Sequence, residues 1–492
     1  MLTPSGNDPG ETSRLSRDAI QRIRQRISYN AAVRFVGRGV GGLITLVALH
    51  LSTRYFGPRS WGAIVTAIAF ATIFSSFSDF GISNLSAREL ARPGAKRAEL
   101  FGAGILSATV VALALTAIAA ALDAVVFRGR PETRLLIWLL LPTIPLNALF
   151  AVISAVFTAR SRNDIRAVFD ILSSALVLIG VAVIVSQHDS MGAYATLLSG
   201  AAAAMALLAV AVVSFYCRPS FRQGIGRVIP TARSAAPLGV SQLMSVFYGQ
   251  FDTLLVAAFL STSMVAWFGL DSQIAGFFWS IPAMVTAAAT PHFMHKDDAG
   301  RRVLSQQLVE TLASVGVFTA LAGMLFAREA LQLISGAKFL GATGALRILV
   351  IASSIGFVTS TVGMIVFLTG RQRAIVKISL FVLVVNLATN LAAIPLFGID
   401  GAAGALVVSE LLGLAYSVRV LRKSTGYVLR FRPVAVDIAL GCVIGGIAEA
   451  VRLSLQLPTT GPWVVAEAVV VAGIYGAAVA LLKRRRTRKL AA

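Results

Sequence analysis

Apolar runs of about twenty residues, each closed by a short polar break, recur along the whole chain, and this repetition leaves lipid as the solvent for most of its surface. A hydrocarbon core about 30 Å thick is crossed by ~20 residues of helix. Helices are expected near 31–53, 60–78, 101–122, 135–157, 167–185, 192–214, 236–260, 264–289, 306–326, 343–368, 374–396, 401–420, 434–453 and 462–482. Composition agrees: 57% of the 492 residues are apolar and only 13% are charged, against about 25% charged in soluble domains. The expected fold is an all-α polytopic membrane protein of about fourteen transmembrane helices.

The charge pattern tests that count. The net charge is +22. In a soluble chain that excess would point to nucleic acid, but here the basic residues sit in the breaks between apolar runs, so no nucleic-acid partner is expected. With the N-terminus in the cytoplasm, the inner segments hold the arginines of 14–26, Arg88, Arg92, Lys96, Arg97, Arg160, Arg162, Arg166, the arginines of 218–233 and the basic run Lys483–Lys489, among others. The outer segments hold only Arg54, Arg59, Arg128, Arg130, Arg134, Arg328, Lys338 and Arg452. A wrong helix count would exchange loops and blur this asymmetry. The expectation is a multi-pass protein of the bacterial cell (inner) membrane with both termini cytoplasmic. Residues 14–28 place Ile20, Ile23 and Ile27 on one helical face, which fits a helix on an anionic leaflet or a basic tail. The run that follows is too long for a signal-peptide core.

Catalytic chemistry finds little support. Cys217 and Cys442 read as free thiols, and His50, His188, His292 and His295 lack metal-ligand spacing. No P-loop or nucleophile motif is present. The longest outer segments, 123–134 and 327–342, offer no carboxylate pair beyond Asp123 and Glu132, which argues against a membrane glycosyltransferase. No enzyme activity, metal or cofactor is expected.

The chain also repeats itself. Arg162-Asn163-Asp164 through Gly192-Ala193-Tyr194 aligns with Arg371-Gln372-Arg373 through Gly401-Ala402-Ala403, and Trp61-Gly62 with Phe268-Gly269. The shared order is basic loop, helix, tight glycine turn, helix. Two parallel six-helix repeats followed by two further helices are therefore expected, and paired repeats that rock about a central site are a transporter signature. The predicted divisions are a basic cytoplasmic segment 1–28, a first lobe 29–216, an inter-lobe cytoplasmic loop 217–233, a second lobe 234–422, the last two helices within 423–482 and a basic tail 483–492.

Four stretches carry a resemblance to a known family. They are Tyr55-Phe56-Gly57-Pro58-Arg59-Ser60-Trp61-Gly62; Asp79-Phe80-Gly81-Ile82 with Arg88-Glu89-Leu90-Ala91; Phe251-Asp252-Thr253-Leu254-Leu255; and Asn386 and Asn390 followed by Ile394 through Ala405. In this order and spacing the chain resembles the polysaccharide transporter (oligosaccharide flippase) branch of the multidrug/oligosaccharidyl-lipid/polysaccharide flippase superfamily. The resemblance implies two lobes in a V around a central cavity, alternating access, and a polyprenyl-diphosphate-linked oligosaccharide moved from the cytoplasmic to the outer leaflet. Implied partners are that lipid-linked glycan, membrane lipids, and glycosyltransferases or a polymerase of the same pathway. A multidrug or small-molecule cation antiporter and a flippase of a peptidoglycan lipid precursor are the alternatives. The extra helix pair and the arginines of the first helix weigh against the antiporter.

Charges that remain inside a membrane usually face a cavity. Arg34 and Arg38 lie one turn apart on the first helix and could grip a diphosphate together; the alternative is snorkelling to the headgroups. Arg347 on the tenth helix, and Asn386 and Asn390 one turn apart on the eleventh, are further substrate candidates, the asparagines also suiting helix–helix bonds. Asp252 and Glu410 are candidates for ion coupling. Gln242 and Gln250 on the seventh helix share the asparagines' ambiguity, Asp271 and Gln273 lie near the outer end of the eighth, and His50 and Arg54 read as interfacial anchors.

Overall fold

The computed structural model describes the backbone of residues 9–92, 94, 96–160, 162–294, 296–454 and 462–491. Within it, the side chains of 9–36, 38, 163, 237–238, 240–249, 280, 287–288, 291, 372, 462, 465 and 483–491 lie outside the described set. Among the described residues there is no strand. The elements run α1 (Pro9–Ser78), α2 (Ile82–Leu90), α3 (Arg97–Val126), α4 (Pro131–Leu140), α5 (Thr143–Ala159), α6 (Asn163–Gln187), α7 (Met191–Ser214), α8 (Phe221–Gly224), α9 (Val228–Phe259), α10 (Thr262–Met294), α11 (Asp298–Ser335), α12 (Thr343–Leu368), α13 (Gln372–Thr425), α14 (Arg432–Ser454) and α15 (Pro462–Ala491). A 3₁₀ turn over Ile225–Arg227 precedes α9, and another over Ala337–Ala342 precedes α12.

Among the described residues, nine helical segments are long and apolar enough to cross a membrane. Two of them are double. α1 is 70 residues long and folds at Gly57 (φ 70°), immediately before Pro58. α13 is 54 residues long and folds at Gly398 (φ 62°), just after Pro395. Only glycine takes such a φ without strain, and each proline removes a donor from the ladder. Each kink therefore stands where the sequence predicts a tight turn between antiparallel spans. With α9, α10 and α15 the helices account for the expected fourteen spans, α4 and α5 forming one span broken at Pro142. The backbone of 14–28 is continuous with the first arm of α1 and forms no separate helix.

The first lobe is built by α1 to α7 and the second by α9 to α13. Within the first, α1 packs along α6, α5 along α3 and α7, and Trp61, Phe101, Phe157 and Ile144 are among its largest fully buried side chains. Within the second, α12 is central, packed by α10, α11 and α13. α14 and α15 append to α11. There Ser314 donates to Asp437 (2.6 Å), Tyr475 donates to the Ser314 carbonyl (3.0 Å), and Arg452 pairs with Glu329. Buried polar bonds of this kind fix helix register in lipid, where apolar contact alone gives no drive to associate.

The lobes meet mainly along α1, α9 and α10. A side chain at Gly62 would strike the backbone of Thr262, and one at Gly269 would strike Val65, so the second arm of α1 lies directly on α10. Beside this seam Thr53 donates to Ser335 (2.9 Å), Arg54 donates to the carbonyls of Gln332 (3.2 Å) and Leu333 (3.1 Å), and His50 Nδ1 lies 3.1 Å from the Leu333 carbonyl. His50 and Arg54 thus bind the opposite lobe, where the sequence suggested lipid-interface anchors. At the other end of the seam the loop after α1 meets α9, with the Phe80 backbone against Gly239, and Arg227 pairs with Glu99 at 2.6 Å.

Candidate substrate and coupling sites

Arg34 and Arg38 lie on the first arm of α1, and their side chains fall outside the described residues. Gly37 and Gly41 are described, and they bring this arm against α6 at Ala167 and Ser174. Gly42 faces Phe277 of α10. The first arm of α1 is therefore wedged, at Gly37, Gly41 and Gly42, between its own lobe and the other one.

The second lobe gathers Asp252, Asn386 and Asn390. All three are buried, the two asparagines completely. Asn390 Nδ2 donates to Asp252 Oδ1 at 3.0 Å and to the Asn386 carbonyl at 3.0 Å. The one-turn spacing of the asparagines puts both on the face of α13 that meets α9. The Asn386 side chain also lies against the Asp252 carboxylate, and the side-chain oxygens of Asn386 and Asn390 are buried without a hydrogen-bond partner among the described residues. A buried polar group left unmade costs about 1–3 kcal/mol, so a carboxylate and two carboxamides with spare oxygens form a ready set of hard ligands for a proton or small cation. Glu410 is also buried, on the second arm of α13, where Thr359 of α12 donates to its carbonyl at 3.4 Å.

Arg347 of α12 lines a groove of 960 Å³ between α11, α12, α13 and α14. Its walls are mostly aliphatic, including Leu321, Met324, Ile351, Val434 and Ile438. Glu449 of α14 is the acidic residue on that wall. Arg347 Nε is buried with no hydrogen-bond partner among the described residues.

The first lobe holds a smaller cavity, of 280 Å³, between the second arm of α1, α4, α5, α6 and α7. Thr72, Ser75, Asn147, Asp170 and Ser173 line it. Sequence reading passed over these residues. The one signal available was Asp170, a lone carboxylate inside the fifth apolar run.

A family model described as polysaccharide biosynthesis protein matches residues 27–296, more than half of the chain. The chain belongs to the polysaccharide biosynthesis protein family. That agrees with the resemblance carried by the four stretches named above, of which the first three fall within the matched residues. Among curated proteins, the chain is 25% identical over 194 residues to a probable flippase, AglR, of Haloferax volcanii. That alignment spans 38% of this chain and 40% of the relative. Among solved structures, the lipid II flippase MurJ in an inward closed conformation superposes with a TM-score of 0.80 at 11% identity, over 93% of this chain and 100% of that one. An inward-facing multidrug resistance transporter of the MATE family superposes with a TM-score of 0.61 at 16% identity, over 80% of this chain and 99% of that one. The fold is the two-lobed one shared by these transporters, and the family member is a multi-pass membrane protein.

Proposed function

We propose that this chain is a flippase that carries a polyprenyl-diphosphate-linked oligosaccharide from the cytoplasmic to the outer leaflet of the cell membrane by alternating access. The observation that carries the reading is the apolar 960 Å³ groove with Arg347 on its wall, in a member of the polysaccharide biosynthesis protein family. A polar headgroup cannot cross ~30 Å of hydrocarbon unaided, whereas a polyprenyl tail is wholly apolar and can stay in lipid or in such a groove. Arg34 and Arg38, one turn apart, would hold the diphosphate with paired charge-assisted bonds. Asp252, with Asn386 and Asn390, would take the coupling proton or cation, and buried Glu410 is the second coupling candidate. Both termini would lie in the cytoplasm, set by the basic inner segments.

The seam between lobes is a packed one: beside the close approaches at Gly62 and Gly269 and the hydrogen bonds at Thr53 and Arg54, Leu49, Trp61 and Val65 of α1 share one buried apolar cluster with Val265, Phe268 and Leu270 of α10. Alternating access would have to open part of this contact. A peptidoglycan-precursor flippase shares the diphosphate chemistry and differs in the sugar. The test is a gene deletion followed by a leaflet assay for lipid-linked oligosaccharide. Accumulation on the cytoplasmic side is expected, and accumulation of peptidoglycan precursor instead would select the second cargo. Arg38→Ala is expected to slow flipping, with Arg38→Lys restoring part of the rate. Normal surface glycan in the alanine variant, at normal protein level, removes Arg38 from the site.

A further inference from the structure

The proposed grip on the diphosphate and the groove for the tail leave the sugar without a place. The 280 Å³ cavity of the first lobe has the chemistry for it. Its volume lies just under the ~300–1,000 Å³ range of small-molecule sites, enough for one ring rather than a chain. Its polar groups come from three directions: Thr72 and Ser75 from α1, Asn147 from α5, Asp170 and Ser173 from α6. Ser75 Oγ is buried and has no partner among the described residues. The Asp170 carbonyl accepts from Ser174 at 3.1 Å, while no ion pair engages its carboxylate among the described residues. Phe150 and Phe169 also line the cavity, with ring centroids 5.5 Å apart and planes at 73°.

This mixture discriminates among ligands. A carboxylate accepts from two neighbouring hydroxyls, a carboxamide both donates and accepts, and serine and threonine do either. Aromatic rings offer an apolar face to the C–H side of a pyranose. An apolar ligand would leave Ser75 unpaired, at about 1–3 kcal/mol, and would offer no donor to the Asp170 carboxylate. A bare cation would use the carboxylate and leave the aromatic wall unused.

We infer that the first-lobe cavity is a monosaccharide subsite, in which Asp170 accepts from adjacent sugar hydroxyls, Asn147, Thr72 and Ser75 complete the bonds, and Phe150 and Phe169 support the ring. The inference rests on the flippase reading and names where its headgroup is recognised. The test uses the purified full chain in lipid nanodiscs. It is titrated with bare polyprenyl diphosphate and with polyprenyl diphosphates bearing one glucose, galactose, N-acetylglucosamine or rhamnose.

At least one sugar-bearing lipid is expected to bind about tenfold more tightly than the bare lipid, the scale of one hydrogen bond to a charged group. In Asp170→Asn that ratio is expected to fall close to one, and in Thr72→Val it falls part of the way, which keeps the test open if the first variant does not fold. An unchanged ratio in both folded variants, or an equal loss for bare and sugar-bearing lipids, overturns the subsite. So does a loss of sodium or pH response with the ratio intact, which would mark a cation site. Absence of any sugar increment in the parent chain also overturns it while the flippase reading stands. Failure of the parent chain to bind even the bare lipid removes the flippase reading and the subsite with it.

Discussion

Between α4 and α7 the first lobe keeps a compact cavity of 280 Å³ with hydroxyls, an amide and a carboxylate on its walls; between α11 and α14 the second keeps an aliphatic groove of 960 Å³. The second lobe's other polar cluster, Asp252 with Asn386 and Asn390, is withdrawn into packed helix interfaces. Both lobes come from the same helix order. A repeat fixes helix direction and neighbour, because these depend on loop length and on which face is apolar, but a cavity wall depends on single side chains that diverge freely. The equivalent turns show the same divergence. In the first lobe α6 ends at His188 in a left-handed conformation, and α7 begins afresh with Ser190 as its cap. In the second lobe α13 continues through Gly398 as a kink.

If the lobes rock as bodies, fixing the seam should stop transport altogether, and this is the largest effect expected. Thr53 and Ser335 oxygens are 2.9 Å apart across the lobes. A Thr53→Cys/Ser335→Cys pair is expected to cross-link under oxidation and bring flipping to background, with reductant restoring it. A cross-linked protein that still flips at the parental rate would mean the lobes do not separate here.

The difference between the lobes can be sharpened through ions. Asp252→Ala removes a charged hydrogen-bond partner worth about 1.5–3 kcal/mol, so flipping should fall by roughly tenfold to a hundredfold and lose its sodium or pH dependence in a proteoliposome assay. Asp170→Asn should keep that dependence. Reversal of this pattern would exchange the roles assigned to the two lobes.

A smaller effect is expected in the groove. Gly446 lines it and has open space beside it. Gly446→Trp should weaken binding of a long-chain polyprenyl diphosphate several-fold and leave a short-chain analogue nearly unaffected. Equal weakening of both would place the tail elsewhere.

The smallest effect is expected at the Arg227–Glu99 pair, where the arginine side chain is 48% exposed. Exposed ion pairs contribute about 0–1 kcal/mol. Arg227→Gln should shift thermal unfolding only slightly, and a large loss would show that the linker between lobes holds them in register.

Much of the fold was legible because a bilayer imposes a length on every crossing segment. The apolar runs gave the spans, and Gly57-Pro58 and Pro395 with Gly398 marked their folds. The pairing of Asp252 with Asn390 was not legible: each reads as an isolated polar residue in an apolar run, and nothing local says they share an interface. His50 and Arg54 look like interfacial residues until α11 is brought beside them. Asp170, Asn147 and Thr72 stand on three separate spans and acquire a common meaning only when those spans surround one space.

Sequence alone determined that this chain lives in a membrane, how many times it crosses, that it is built twice over, and the family it resembles. Hydrophobic length and turn residues are local quantities, so they survive reading along the chain. Tertiary structure decided which polar groups are buried together, which lobe keeps a polar-lined pocket and which an aliphatic groove, because burial and partnership depend on helices distant in sequence packing side by side.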